Sequence, residues 1–151
     1  MHLTLQTDYA LRVLLYLAAD GGRTARVADI AAGYGISRNH LLKVALRLSK
    51  LGYVTTLRGR SGGVVLAQRP EDIKVGDVVR QMEDDLALVE CMCRDGGACV
   101  ISRACRLEQV VRKALDAFLA VFDEYTLADI AANRGFLAQV LALDVRRARK
   151  A

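Results

Sequence analysis

The chain has 151 residues, 53% of them apolar, and a formal net charge of +5, which suits one domain or one small domain with an appendage. With no tryptophan, few aromatics and a single proline, Pro70, the core is expected to be aliphatic and the structure mostly helical. No apolar run approaches the roughly 20 residues of a membrane span. Asp8 and Arg12 break the N-terminal apolar stretch, so it reads as an amphipathic helix rather than a signal peptide, and a cytoplasmic protein is expected. Residues 1–70 carry ten Lys/Arg against three Asp/Glu, whereas residues 71–151 carry twelve against fourteen. A basic half beside a near-neutral half predicts a polyanion-binding module joined to something else.

Residues 8–19, DYALRVLLYLAA, place Leu11, Leu14, Leu15 and Ala18 at helical spacing, and Gly21-Gly22 ends that helix. RVADIAAGYGIS gives a short helix with Val27, Ile30 and Ala31 on its apolar face, broken by Gly33 and Gly35. Ser37 suits an N-cap for SRNHLLKVALRLSKLG. There Leu41, Leu42, Ala45, Leu48 and Leu51 form the apolar stripe, Arg38, Asn39, Lys43, Arg47 and Lys50 the polar side, and Gly52 the stop. Two helices around a short glycine-containing turn, the second basic outside, form a helix-turn-helix pattern.

YVTTLRGRSGGVVLAQ then reads as strand 53–58, turn 59–63 and strand 64–67. Its turn, RGRSGG, holds two arginines and three glycines, which suits a tight hairpin that approaches phosphate closely, a wing. The DNA-facing set is therefore Ser37, Arg38, Asn39, His40, Lys43, Arg58, Arg60, Ser61 and Gly62. Arginine suits guanine and asparagine suits adenine. Lys43, Arg58 and Arg60 suit phosphates or the minor groove. His40 fits a base contact and a helix-end hydrogen bond equally.

IKVGDVVRQMEDD predicts a short helix carrying Val75, Val78, Val79 and Met82. A helix of about 20 residues is expected from about Arg103, with a broad apolar face including Leu107, Val110, Val111, Leu115, Phe118, Leu119, Val121 and Phe122. Such a surplus suits a twofold dimer reading a palindrome, packing within the chain, or both. TLADI follows, with Thr126 as N-cap and Asp129 three residues on. Beyond it, Phe136, Leu137, Val140 and Leu141 permit a short amphipathic helix before a solvated RRARK end.

All four cysteines fall within ECMCRDGGACVISRAC, residues 90–105. Cys93-x5-Cys99-x5-Cys105 is evenly spaced, with Cys91 just before it, and neither C-x2-C nor a histidine accompanies them. Soft, regularly spaced thiolates favour an iron–sulfur cluster, with zinc or bare redox thiols as the other readings. Cys105 stands where a helix N-terminus favours a thiolate. No catalytic histidine or nucleophile arrangement accompanies the thiols, so an enzyme is not expected. A zinc-stapled, constitutive DNA-binding protein is the further alternative.

LTLQTDYALRVLLYLA, GISRNHLLKVALRLSKLGYV, RGRSGGVVLA, IKVGDVVRQME, CVISRACRL and YTLADI, in that order, resemble the Rrf2 family of winged-helix regulators over about residues 1–132. SRNHLLK, the CVIxxACRL segment and YTLADI resemble its nitric-oxide-sensing repressor branch most. The resemblance implies a homodimer on operator DNA, with the cluster held in the loop before the dimerisation helix. It implies three cysteine ligands, which Cys93, Cys99 and Cys105 fit, and a fourth from an aspartate in the TDYALR segment of the other subunit, matching Asp8. Asp in a first helical turn is also favoured by the dipole alone. The implied cluster is 4Fe–4S, with 2Fe–2S as the alternative. Cys91 departs from the pattern and leaves open which of Cys91 and Cys93 ligates.

Branches that sense iron or cluster status compete with this reading. The cluster-biogenesis branch has a ligand histidine three residues after the last cysteine, where this chain has Glu108. The iron-responsive branch shares the cysteine segment. The expected fold is mainly α with a small β-wing. A winged helix-turn-helix domain takes residues 1–70, the cluster loop and dimerisation helix 71–132, and a C-terminal tail 133–151.

Overall fold

Thr4 starts the first helix, its hydroxyl accepting from the Thr7 amide, and α1 runs Leu5–Ala19. In this computed structural model, which describes residues 2–59, 62–93, 98–101 and 105–143, the described helices continue as α2 (Val27–Tyr34), α3 (Arg38–Lys50), α4 (Val75–Met82), α5 (Arg106–Asp123), α6 (Leu127–Ile130) and α7 (Arg134–Val140). Between α3 and α4, β1 (Val54–Leu57) pairs antiparallel with β2 (Gly63–Leu66), with Val54 opposite Leu66 and Leu57 opposite Gly63. A bridge from Ala25 to Val64 ties this hairpin to the chain ahead of α2. The result is the expected mainly helical fold with a small β-wing.

Helix α1 is more deeply set than its Leu11, Leu14, Leu15, Ala18 stripe predicts. Ala10, Val13, Tyr16, Leu17 and Ala19 are buried as well, while Leu11 and Leu15 are half-buried at the margin. The reason is tertiary: α3, α4, α6, α7 and β2 all pack on α1, so it has little solvent side. The main core adds Ile30, Leu41, Val44, Leu48, Val54 and Val64, and Ile73, Val78, Met82 and Leu127 close it. Leu141 and Leu143 are buried in the same core, whereas Phe136 and Val140 face outward. The RRARK end lies outside the described residues.

Helix α5 starts at Arg106, three residues later than expected, and its 18 residues span about 27 Å. Only Leu115 and Leu119 are buried; with Val75 and Val79 they form a second, smaller apolar cluster that Leu3, Leu86, Met92, Phe118 and Phe122 border. Thr126 and Asp129 form the expected capping box: the Thr126 hydroxyl accepts from the Asp129 amide at 3.2 Å and the Asp129 carboxylate from the Thr126 amide at 2.7 Å.

Helices α4 and α5 are clamped by a two-pronged pair, Arg80 to Asp123, at 2.5 and 2.7 Å. Gly76 makes room for it, since a Cβ there would fall on Asp123 Oδ1 and 2.7 Å from Arg80 Nη1. Gly76→Ala is therefore expected to destabilise by about 1–3 kcal/mol. Gly135→Ala, in α7 with nothing within 4 Å of the new carbon, is expected to stabilise by about 0.4–1 kcal/mol. Thermal melts followed by circular dichroism read both signs.

Candidate nucleic-acid interface and thiol segment

Helix α3 presents a continuous exposed face of Ser37, Arg38, Asn39, His40, Leu42, Lys43, Leu46 and Lys50. Ser37 holds the N-cap position, but its side chain makes no capping hydrogen bond. Two details differ from the periodicity reading. Leu42, expected in the apolar stripe, is 42% exposed, and Val44 is the buried residue instead. Arg47, expected on the outer polar side, turns inward and is only 27% exposed. Heptad-like counting misassigns residues at the stripe's edge, because α3 lodges between α1, α2 and β1 at an angle the sequence does not reveal.

Arg58 is exposed just past β1. Gly59 has φ +102°, and the Gly62 amide donates to its carbonyl at 3.0 Å, so that amide is spent on the turn. A Cβ at Gly62 would lie 2.5 Å from the Leu57 carbonyl oxygen, which explains glycine at this turn. Arg60 and Ser61, the other wing candidates, lie outside the described residues.

Asp8 sits in the first turn of α1, half-exposed, and Arg12 grips both of its oxygens, Nε to Oδ1 at 2.9 Å and Nη2 to Oδ2 at 2.8 Å. The same guanidinium lies 5.9 Å from the ring centres of Tyr9 and Tyr34. Burial pushes the Tyr34 phenol up to about 12, against the opposing pull of Arg12. Asp8 is thereby linked through Arg12 to the end of α2, at the turn of the helix-turn-helix.

Cys91, Cys93, Cys99 and Cys105 are all free thiols of intermediate exposure, Cys105 at the N-cap position of α5. Burial pushes the Cys91 thiol up, and the negative charge of Glu108 pushes the same way. Glu108 itself is paired with Arg112 at 2.7 Å. Among the described residues no three His, Cys, Asp or Glu side chains gather into a metal-holding group. Residues 94–97 and 102–104, which link the thiols, are outside that description. In donor chemistry the segment fits a thiolate-ligated cluster: the thiols are unpaired, partly exposed, and one stands at a helix start.

An exposed basic recognition helix, a β-hairpin wing and a core shared with α1 define a winged-helix DNA-binding regulator. The Rrf2 family model, described as an iron-dependent transcriptional regulator, matches residues 3–133, and the chain belongs to this family. The HTH-type transcriptional regulator NsrR of Bacillus subtilis (strain 168) is 49% identical over 144 residues, 95% of this chain and 99% of that one. A regulator of the same name from Halalkalibacterium halodurans is 46% identical over 144 residues, with the same coverage of both chains. Among solved structures, CymR, the global cysteine regulator of B. subtilis, aligns with a TM-score of 0.70 at 26% identity, over 88% of this chain and 98% of that one. T. potens IscR aligns with a TM-score of 0.70 at 28% identity, over 88% of each. The chain is a transcriptional regulator and not an enzyme. Among the described residues no helix is long and apolar enough to cross a membrane.

Proposed function

We propose that this protein is a nitric-oxide-sensitive repressor that binds operator DNA as a homodimer and carries an iron–sulfur cluster. The observation that carries the reading is the junction of two parts: a winged-helix module and a segment with four free thiols that leads into a long, outward-apolar helix. The near-full-length likeness to regulators named NsrR supports the same reading.

The residues assigned to the cluster are Cys93, Cys99 and Cys105, with Asp8 of α1 as the fourth ligand, given to a second subunit. When bound, the cluster supplies iron, for which nitric oxide is a strong ligand. A carboxylate is a weaker ligand for such a centre than a thiolate, so Asp8 would be the ligand most readily given up. Its return to Arg12 costs little, because Arg12 already lies across both oxygens. The cluster assignment is 4Fe–4S.

The dimer reading rests on α5. Leu107, Val110 and Val121 are more than half exposed on it, and Phe118 and Phe122 line a groove of about 710 Å³ with Leu3, Leu86 and Leu88. An apolar face of this kind suits a second copy. A twofold pair sets the distance between the two α3 helices, and so the operator half-site spacing. In this reading Arg38 and Asn39, flanked by Ser37 and His40 at the N-terminal end of α3, face the major groove, while Lys43, Arg58 and Arg60 hold phosphates or the minor groove.

The test is a visible spectrum of anaerobically purified protein during nitric oxide titration, with a labelled operator duplex present. Brown absorbance that bleaches as the duplex is released is the expected result. A colourless protein that carries zinc and binds DNA regardless overturns the cluster reading. Brown absorbance with DNA binding indifferent to nitric oxide favours the second reading, sensing of iron or cluster status. The family's iron-dependent description and the likeness to an IscR structure support that alternative.

A further inference from the structure

Arg47 belongs to the recognition helix, yet its guanidinium points away from the DNA-facing side. Its Nη2 donates to the Gln81 carbonyl at 2.9 Å and to Asp84 Oδ1 at 2.8 Å, and its Nη1 to Gln6 Oε1 at 3.2 Å. One side chain of α3 thus holds the start of α1, the end of α4 and the strand of chain that leaves α4. The preceding acidic residue does the complementary job: Glu83 Oε1 accepts from the Thr4 amide at 2.8 Å and from the Thr4 hydroxyl at 3.2 Å. Thr4 is the N-cap of α1, four residues before Asp8.

The strand held this way is the one that runs to the thiols. Six residues after Asp84, Glu90 Oε1 accepts from the Ala98 amide at 2.9 Å, next to Cys99. Between them, the Asp85 carboxylate accepts from the Ala87 amide at 2.8 Å and Leu86 packs on the second apolar cluster, as does Met92 just beyond Glu90. The segment is therefore fastened at its α3 end, its middle and its thiol end. The Arg47–Asp84 pair alone is weak, because its carboxylate is open to solvent. The bonds to the Gln81 carbonyl and to Gln6 give Arg47 a fixed three-way geometry that a lysine's point charge cannot reproduce.

We infer that Arg47 is a positioning residue, not a phosphate contact: it couples the conformation of the thiol segment to the placement of the recognition helix. The inference rests on the cluster-dependent reading above. A ligand held by the thiols would constrain residues 83–90 through Glu90, and Arg47 would carry that constraint to the C-terminal half of α3. Proximity by itself does not establish coupling, so the test measures coupling.

Wild type, Arg47→Ala and Arg47→Lys are compared with the cluster and after anaerobic chelation, on a duplex selected from random sequence by the wild-type holoprotein. Wild type is expected to bind roughly 5- to 150-fold more tightly with the cluster than without it. In both variants that ratio should shrink toward one while absorbance per chain stays at the wild-type level. Equal weakening of both states by Arg47→Ala, with the salt slope reduced by about 0.9, is the signature of a phosphate contact and overturns the inference. So does an unchanged ratio. Equal wild-type affinities in the two states overturn the function proposed above together with the coupling, and so mark a different failure.

A metal-free readout accompanies it. In the apoprotein, Arg47→Ala should speed amide hydrogen exchange in residues 83–90 by about tenfold or more, while α1 beyond its first turn keeps its protection. Unchanged exchange in residues 83–90 overturns the inference whatever the cluster does.

Discussion

Cys99→Ala is expected to leave the purified protein without visible absorbance and to weaken operator binding roughly 5- to 150-fold, the range of typical coupling between sites. Its melting temperature after chelation should match that of chelated wild type. The reason is location: Cys99 belongs to neither apolar cluster, and its removal empties no packed volume. Iron and sulfide analysis per chain, a visible spectrum and a thermal melt read the three parts separately. Wild-type iron content in Cys99→Ala would remove this residue from the ligand set. Cys91→Ala is the companion experiment. Cys91 shares an electrostatic neighbourhood with Cys99 and Cys105, so the choice between Cys91 and Cys93 needs the measurement. Retained absorbance in Cys91→Ala supports Cys93 as the third thiolate ligand.

Arg38→Ala is expected to lower operator affinity by about 5- to 150-fold, matching about 1–3 kcal/mol for one bidentate base contact. Affinity for random sequence should fall far less, and the cluster spectrum should not change. Arg38 is the first residue of α3 and exposed, at the end of the helix proposed above to enter the groove. Lys43→Ala is the contrast. Its loss should be similar on every sequence, with the salt slope reduced by about 0.9. Fluorescence anisotropy on operator and scrambled duplexes at several salt concentrations separates the two patterns. Operator preference retained in Arg38→Ala would falsify the assignment of this turn to base reading.

Most helix stops were legible in the sequence, although α2 runs through Gly33 to Tyr34 and α5 starts late. Gly21-Gly22, Gly35 and Gly52 all adopt positive φ where helices stop, because local sterics decide such positions. The Thr126–Asp129 capping box was equally plain, since its partners lie three residues apart. Faces were harder. Leu42 and Arg47 exchange the roles that periodicity suggests, one outward and one inward. A signal for Arg47 was present in the acidic run Glu83-Asp84-Asp85 after α4, but nothing local says that this run returns to α3. Asp8 and Arg12, at i and i+4, are a visible pair. That Tyr34 joins them depends on how α2 crosses α1.

From the sequence alone follow the helical class, the wing, the basic half and the concentration of thiols in one segment. Each comes from short-range chemistry: caps, periodicity, turn glycines and soft ligands at regular spacing. The tertiary structure decided that α1 is a central rather than a surface helix, that Leu141 and Leu143 belong to the core, and that Glu83 and Asp84 tie the chain after α4 to α1 and α3. Those outcomes depend on contacts between residues far apart in the chain, 79 positions for Thr4 and Glu83 and farther still for α1 with α7. Such contacts depend on which helix faces the chain can bury together, and no local pattern records that choice.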